Sequence, residues 1–256
     1  PPSVSAGAEE MSALLRASID GRVQTVAGDP VAIVGAGPAG LACAHDLALL
    51  GFRPTVFESE SVPAGMLALG VPAYRLPRDL IAREVAVIEA LGVDIRCNTA
   101  IGRDVSFATL RQDFKAVVIA VGAKGSRALG LPGEQGPGVL GGVDVLRAVA
   151  VGEPIELGHE VVVIGGGNVA YDVARSVVRQ IAWDAARTAA RLGGTTKVSL
   201  VSLESLEEMP ADTVEIVEGH EEGIERLNGW GPTDILRGPD GRVTGVRFRR
   251  CRRVYD

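Results

Sequence analysis

The chain is poor in the residues that build metal centres. Its 256 residues hold three cysteines, Cys43, Cys97 and Cys251, and no two of them form a CxxC pair. That spacing excludes an iron–sulfur cluster, a cysteine-built metal site and a redox dithiol carried by this chain. His45, His159 and His220 are equally isolated and read as surface or helix residues rather than ligands. No metal site is expected. Long apolar runs are missing too: none approaches the ~20 residues that span a bilayer. The opening PPSVSAGAEE lacks the charged-then-apolar order of a secretion signal. These absences argue for a soluble, cytoplasmic protein with no membrane partner. A basic excess is also lacking, because the formal net charge is -6 and the Lys and Arg residues are scattered, so nucleic acid is excluded as a partner.

What is present is a core-forming composition, 46% hydrophobic, at a length that suits one large domain or two ordinary ones. Residues 1–29 read as an arm or linker with a short helix around MSALLRASI, and Met11 is a candidate natural start. From Val31 onward strand and helix signals alternate, the pattern of a mainly parallel α/β sheet. VAIVG, RPTVFE, DIRCN and FKAVVIAVG read as strands; PAGLACAHDLALLG and DLIAREVAVIEALG read as helices. Their packing faces are predicted to carry Leu41, Ala44, Ala48 and Leu49, and Ile81, Val85, Ile88 and Leu91. PAGMLALGVPAYRLP is too long and irregular for a simple strand-to-helix turn, which marks it as a functional loop. After the turn-rich LPGEQGPGVLGG the pattern restarts at Val161, which divides the chain into domains at 30–150 and 151–256. DVARSVVR (172–179) is echoed by DAARTAAR (184–191), an offset that turns a helix by ~120° and so requires a kink or a projecting extension. The charge-rich EIVEGHEEGIERL reads as a solvated helix face.

Two stretches share one cadence. In VAIVGAGPAG, Gly35, Gly37 and Gly40 follow a strand and open a helix, with Pro38 and Ala39 between them. The first glycine permits a tight turn, the second lets a pyrophosphate approach the backbone, and the third lets helix pack on strand. Free amides at the helix start then face the phosphates. Glu58, 18 residues beyond Gly40, ends the next strand, where an acid accepts the hydroxyls of an adenosine ribose. In VVVIGGGNVA the same places hold Gly165, Gly167 and Ala170, an accepted variant. TKVSLVSLE supplies the following strand, with Glu204 standing where Glu58 stands in the first unit. Two dinucleotides are expected, and two adjacent sites imply an electrical connection between a flavin and a nicotinamide. Hydride passes only when the rings stack within ~3.5 Å, so the protein's task is positioning, and no catalytic acid, base or triad is required.

These residues resemble the flavin-dependent oxidoreductases typified by the small subunit of glutamate synthase. The marks are VAIVGAGPAGLA, AGMLALGVPAYRLP, AVVIAVGA, ALGLPGE, GGGNVAYDVARS, EEMPA and GRVTGVRF. The resemblance implies two Rossmann-like domains in an α/β fold, an FAD domain with an NAD(P) domain inserted. It places FAD on Gly35, Gly37, Pro38, Ala39, Gly40, Glu58, Gly65, Met66, Leu67, Arg75 and Gly122. It places the pyridine nucleotide on Gly165, Gly167, Asn168, Val169, Ala170 and Asp172, to which the reading of the residues adds Glu204. Three departures follow. Many relatives read YRR where this chain has Ser202, Leu203 and Glu204. An acid there repels the 2'-phosphate of NADPH by roughly 1 to 4 kcal/mol per unit charge at ~4 Å, so NAD(H) is the expected nucleotide. The cysteine-rich cluster domain that often precedes the module is not in this sequence, so iron–sulfur or metal centres are expected on a partner subunit of a hetero-oligomer. The C-terminal return to the FAD domain is not in this sequence either. The rival reading is a structural or sensing module that binds dinucleotide without turnover. A disulfide reductase is disfavoured for want of a cysteine pair. Trp183 and Trp230 are candidate docking anchors, with packing the plainer use of each.

Overall fold

The computed structural model describes residues 7–11, 13–14, 28–187, 197–252 and 254, with side chains at 181–187 outside the description. Of the predicted N-terminal helix only residues 11, 13 and 14 are described; these and residues 7–10 are helical. The chain divides into two compact units, residues 1–124 and 125–256. The sequence reading puts the change at 150/151 instead. The difference is the segment 125–150, which contains a helix whose Val145 and Leu146 lie in the core of the second unit.

In the first unit β1 (Pro30–Val34), α1 (Pro38–Leu49), β2 (Arg53–Phe57), α2 (Met66–Leu69), α3 (Arg78–Ala90), β3 (Asp94–Arg96), α4 (Phe107–Asp113) and β4 (Ala116–Ile119) follow one another. The four strands form a parallel sheet in the order β3-β2-β1-β4. Val31, Ala32 and Ile33 are all buried, as a central parallel strand covered on both faces requires. Pro38 opens α1 at a position where its missing N–H costs nothing. Leu41, Ala44 and Ala48 of α1 enter the core, while Leu49 is only partly buried. From α3 and the residue after it, Val85 and Leu91 are buried, and Ile81 and Ile88 pack against the same cluster. The sequence reading missed α4, although Ser106 caps it by accepting the Thr109 amide at 3.0 Å.

The second unit runs through α5 (Gly142–Val151), β5 (Glu160–Ile164), α6 (Asn168–Arg187), β6 (Lys197–Ser202), α7 (Thr213–Glu221), β7 (Glu225–Asn228), β8 (Trp230–Arg237) and β9 (Val243–Arg250). Strands β5, β6 and β7 are parallel in that order, and β8 and β9 form a separate antiparallel pair. The final strand of the sequence therefore joins a hairpin rather than the nucleotide-type sheet. α5 falls in a stretch, 143–151, to which the sequence reading gave no element, because the Gly141–Gly142 pair that ends the linker masks its start. α6 carries the first copy of the Ala/Arg repeat inside one helix; residues 188–191 of the second copy are outside the described residues.

The acidic stretch at 215–227 is not the solvated helix face its composition suggests. α7 does not simply face solvent: Glu215 is buried and binds Arg175 of α6, which is 2% exposed, at 2.6 Å. Glu218 and Glu222 reach the same guanidinium at 2.5 and 2.8 Å, and Glu222 also binds Arg179. Burying an arginine is strongly unfavourable unless its donors are paired, so two acids of α7 and a third at its C-cap, Glu222, serve one cation on the neighbouring helix. Among the described residues no helix is long and apolar enough to cross a membrane.

Candidate functional site

The first glycine loop is shaped by close approach. Gly35 has a left-handed backbone (φ 106°), and a methyl group there would collide with the carbonyl of Ala120 at the end of β4. A methyl at Gly40 would run into the Gly35 carbonyl, so the start of α1 rests directly on the turn. At Gly37, in contrast, a Cβ would meet nothing within 4 Å. The position is open where a phosphate would approach. α1 has no side-chain cap, which leaves its first-turn amides available to an anion.

The loop after β2 folds onto this turn. The Ala64 amide donates to the Ala36 carbonyl at 2.8 Å, and a Cβ on Gly65 would lie 2.9 Å from Gly37 Cα. Ala64 itself is left-handed at φ 80°, a strain of about 1 kcal/mol for a residue with a Cβ, held in place by its complete burial. Arg78 fastens the rest of the loop, donating to the carbonyls of Leu67, Val71 and Leu76 at 2.8 to 3.3 Å.

These segments enclose a cavity of about 300 Å³ lined by Gly35, Gly37, Pro38, Ala39, Glu58, Gly65, Met66 and Gly122 of the predicted set. Ser59, Thr99, Ala100, Ile101, Val121 and Lys124 also line it and were not foreseen. Gly40 lies beneath the turn. Leu67 and Arg75 are exposed and outside the cavity wall.

Glu58 is 2% exposed. Its Oε2 accepts the Ala36 amide at 2.9 Å, and its Oε1 accepts the Glu60 amide at 2.9 Å and the Lys124 ammonium at 3.2 Å. Burial alone would lift this carboxyl. The two amides and Lys124 outweigh that and hold it below the usual glutamate range, so the acid is ionised and its plane is fixed. A glycine cradle, an uncapped helix start and a fixed acid at the next strand end fit the diphosphate and ribose of a dinucleotide such as FAD.

The second loop repeats the plan with differences. Gly165 is left-handed (φ 146°), and a Cβ on it would lie 3.1 Å from the Ala170 methyl, so alanine fits the third position because the first is glycine. Gly167 is open, with Pro210 the nearest group to a Cβ at 3.9 Å. The Glu204 carboxylate leans on Gly166, where a Cβ would come within 2.5 Å of Oε2. It is partly exposed rather than sealed. Asn168 has both ends of its amide engaged with Asp212: Nδ2 donates to Oδ2 and Oδ1 accepts the Asp212 amide, each at 2.8 Å. Val169 is exposed, whereas Asp172 is buried one turn into α6. The open glycine, the acid beyond the strand end and the glycine–alanine contact fit a second dinucleotide.

The match of the two acids is not one of position: β1–β2 pairing sets Val34 beside Phe57 and β5–β6 pairing sets Ile164 beside Val201, so Ser202 is the counterpart of Glu58 and Glu204 lies two residues beyond it, past the end of β6. Two parallel-sheet units, each with a glycine turn between its first strand and first helix and an acid close beyond that turn's neighbouring strand, define a Rossmann-like dinucleotide-binding protein. Residues 29–220 match the model of the pyridine nucleotide-disulphide oxidoreductase family, and the chain belongs to that family. It is 42% identical over 225 residues to the NADPH-Fe(3+) oxidoreductase subunit beta of Geobacter sulfurreducens, covering 86% of this chain and 32% of that protein. It is 33% identical over 246 residues to the glutamate synthase [NADPH] small chain of Escherichia coli, covering 92% of this chain and 49% of the relative. The chain thus spans half or less of the length of these relatives. In fold it is similar to Mycobacterium tuberculosis FprA in complex with NADPH, with a TM-score of 0.69, 21% identity, and 86% and 67% of the two chains covered.

Proposed function

We propose that the chain is the FAD- and NAD(H)-binding part of an oxidoreductase subunit, passing electrons between NADH and an iron–sulfur or metal-bearing partner in a hetero-oligomer. The observation that carries this is the duplication of the cradle, with the first acid sealed and ion-paired and the second partly exposed. FAD held by the first unit would supply the redox chemistry, linking two-electron exchange with nicotinamide to one-electron exchange with a partner. The chain's residues bind and orient. Amides at the start of α1 receive the diphosphate, Glu58 the ribose hydroxyls, and Gly65 and Met66 with Gly122 wall the cavity. In the second unit the start of α6 takes the diphosphate of NADH and Glu204 takes its ribose diol. The two relatives above carry NADPH in their names; the preference proposed here differs because Leu203 and Glu204 offer no cation to a 2'-phosphate.

The test is an anaerobic titration of the purified, flavin-loaded chain with NADH and, in parallel, NADPH. The expected result is loss of the oxidised flavin absorbance with one equivalent of NADH, at a lower concentration than with NADPH. A chain that binds NADH with no change in flavin absorbance is a non-redox module. A tenfold preference for NADPH removes the role given to Glu204.

A further inference from the structure

Among the described residues that line the first-unit cavity, Glu58 is the one acid and Lys124 the one cation. Lys124 belongs to neither glycine device and lies 66 residues from Glu58 in sequence. The pairing of β1 with β4, which sets Val34 beside Ile119, brings the two together. Its ammonium contacts Glu58 Oε1 at 3.2 Å, Ser59 Oγ at 3.3 Å and Glu60 Oε1 at 3.5 Å, and its side chain is about one-third exposed. Without that cation two carboxylates would confront a ligand that carries two diphosphate charges.

We propose that Lys124 is a positioning residue for the dinucleotide of the first unit: it neutralises the Glu58–Glu60 pair and holds the Glu58 carboxylate toward the ribose. The inference rests on the flavin reading above. The other groups near Glu58 do not do the same work. Arg96, from β3, is turned onto the Phe57 ring and paired with Asp94 at 2.7 Å. Cys97 keeps its proton, because burial and then the charges of Glu58 and Glu89 push its thiol up. The backbone amides of Ala36 and Glu60 fix the carboxylate plane but carry no net charge. A lysine that only packed there would be replaceable by methionine of similar length; one that acts by charge would not.

The experiment measures FAD binding by quenching of flavin fluorescence, using the full chain stripped of flavin, across a pH series and at low and high salt. Wild type is compared with Lys124→Met and Lys124→Arg. Lys124→Met is expected to weaken FAD about five- to tenfold at neutral pH, the scale of one partly exposed charged hydrogen bond. The deficit shrinks at high salt. Affinity depends on ionised Glu58 and is lost as pH falls through its pKa; without Lys124 that pKa rises, so the acid-side loss begins at higher pH than in wild type. Lys124→Arg restores both affinity and the acid-side profile. Equal affinity and an unmoved acid profile in Lys124→Met overturn the inference, as does an arginine variant that behaves like methionine. A wild-type chain that binds no FAD overturns the flavin reading and this one with it, a result distinct from wild-type binding that is indifferent to residue 124.

Discussion

The two units use the same turn but stabilise its surroundings differently. In the first, the acid is enclosed, its two oxygens are held by backbone amides and a lysine, and a strained loop is pressed onto the glycine turn. In the second, the acid leans on Gly166 partly exposed, and the start of α6 is tied to the N-cap of α7 through Asn168 and Asp212. The first arrangement is suited to a ligand that stays, and the second to one that exchanges, because a preformed, desolvated site loses less on binding while an open one admits and releases solvent readily.

In the second unit a buried charge pair joins α6 to α7. Arg175→Ala leaves Glu215 buried without its cation and is expected to cost about 3 to 5 kcal/mol in the second unit, read by chemical denaturation; a cost below about 1 kcal/mol shows that α7 is held otherwise. The third glycine position also separates the two units. Alanine is native at position 170, yet Gly40→Ala should destabilise the first unit by about 1 to 3 kcal/mol, because its methyl meets the Gly35 carbonyl. The sign is informative, since Gly to Ala in a helix otherwise stabilises by about 1 kcal/mol. Leu203→Arg with Glu204→Arg should shift the nucleotide preference of the second unit toward NADPH by about tenfold or more, equivalent to about 1.4 kcal/mol. Parallel NADH and NADPH titrations check this, and unchanged specificity counts against the role of Glu204.

Glu58 contributes a smaller effect, on the acid side of the stability curve. Glu58 titrates below its ordinary range, so its stabilising contribution is present above the unfolded pKa and is lost as pH falls through the lower folded value. Glu58→Gln should flatten that part of the pH–stability profile, measured by denaturation at stepped pH. The smallest expected effect is Asp212→Ala: it removes one of the two bonds to Asn168, should weaken NADH by about two- to fivefold, and should leave FAD binding unchanged.

Both glycine turns were legible in the sequence because their geometry lies in short spacings within one strand–turn–helix unit, whereas the place of Glu204 was misjudged because the register of β6 against β5, which makes Ser202 the counterpart of Glu58, is set by pairing rather than by local spacing. The groups that complete the sites were not legible. Lys124 reaches Glu58 only because β4 pairs with β1, and Asp212 reaches Asn168 across 44 residues. The role of Arg78 has the same origin: it opens α3, and nothing local tells that its side chain turns back toward the carbonyls of Leu67 and Val71. The acids of α7 looked solvated because their composition is that of a surface helix, and their cation sits on another element. Trp230 stacks under the Arg250 guanidinium at 5.2 Å and is partly buried, in keeping with its plainer use in packing, whereas the Trp183 side chain lies outside the described residues.

The most direct measurement is a count of occupied cradles by native mass spectrometry of the full chain with FAD and then NAD⁺ added. Two simultaneous ligands, one FAD and one NAD⁺, are predicted, with Gly37→Val removing the first alone and Gly167→Val the second alone. Competition of the two ligands for a single site would contradict the account.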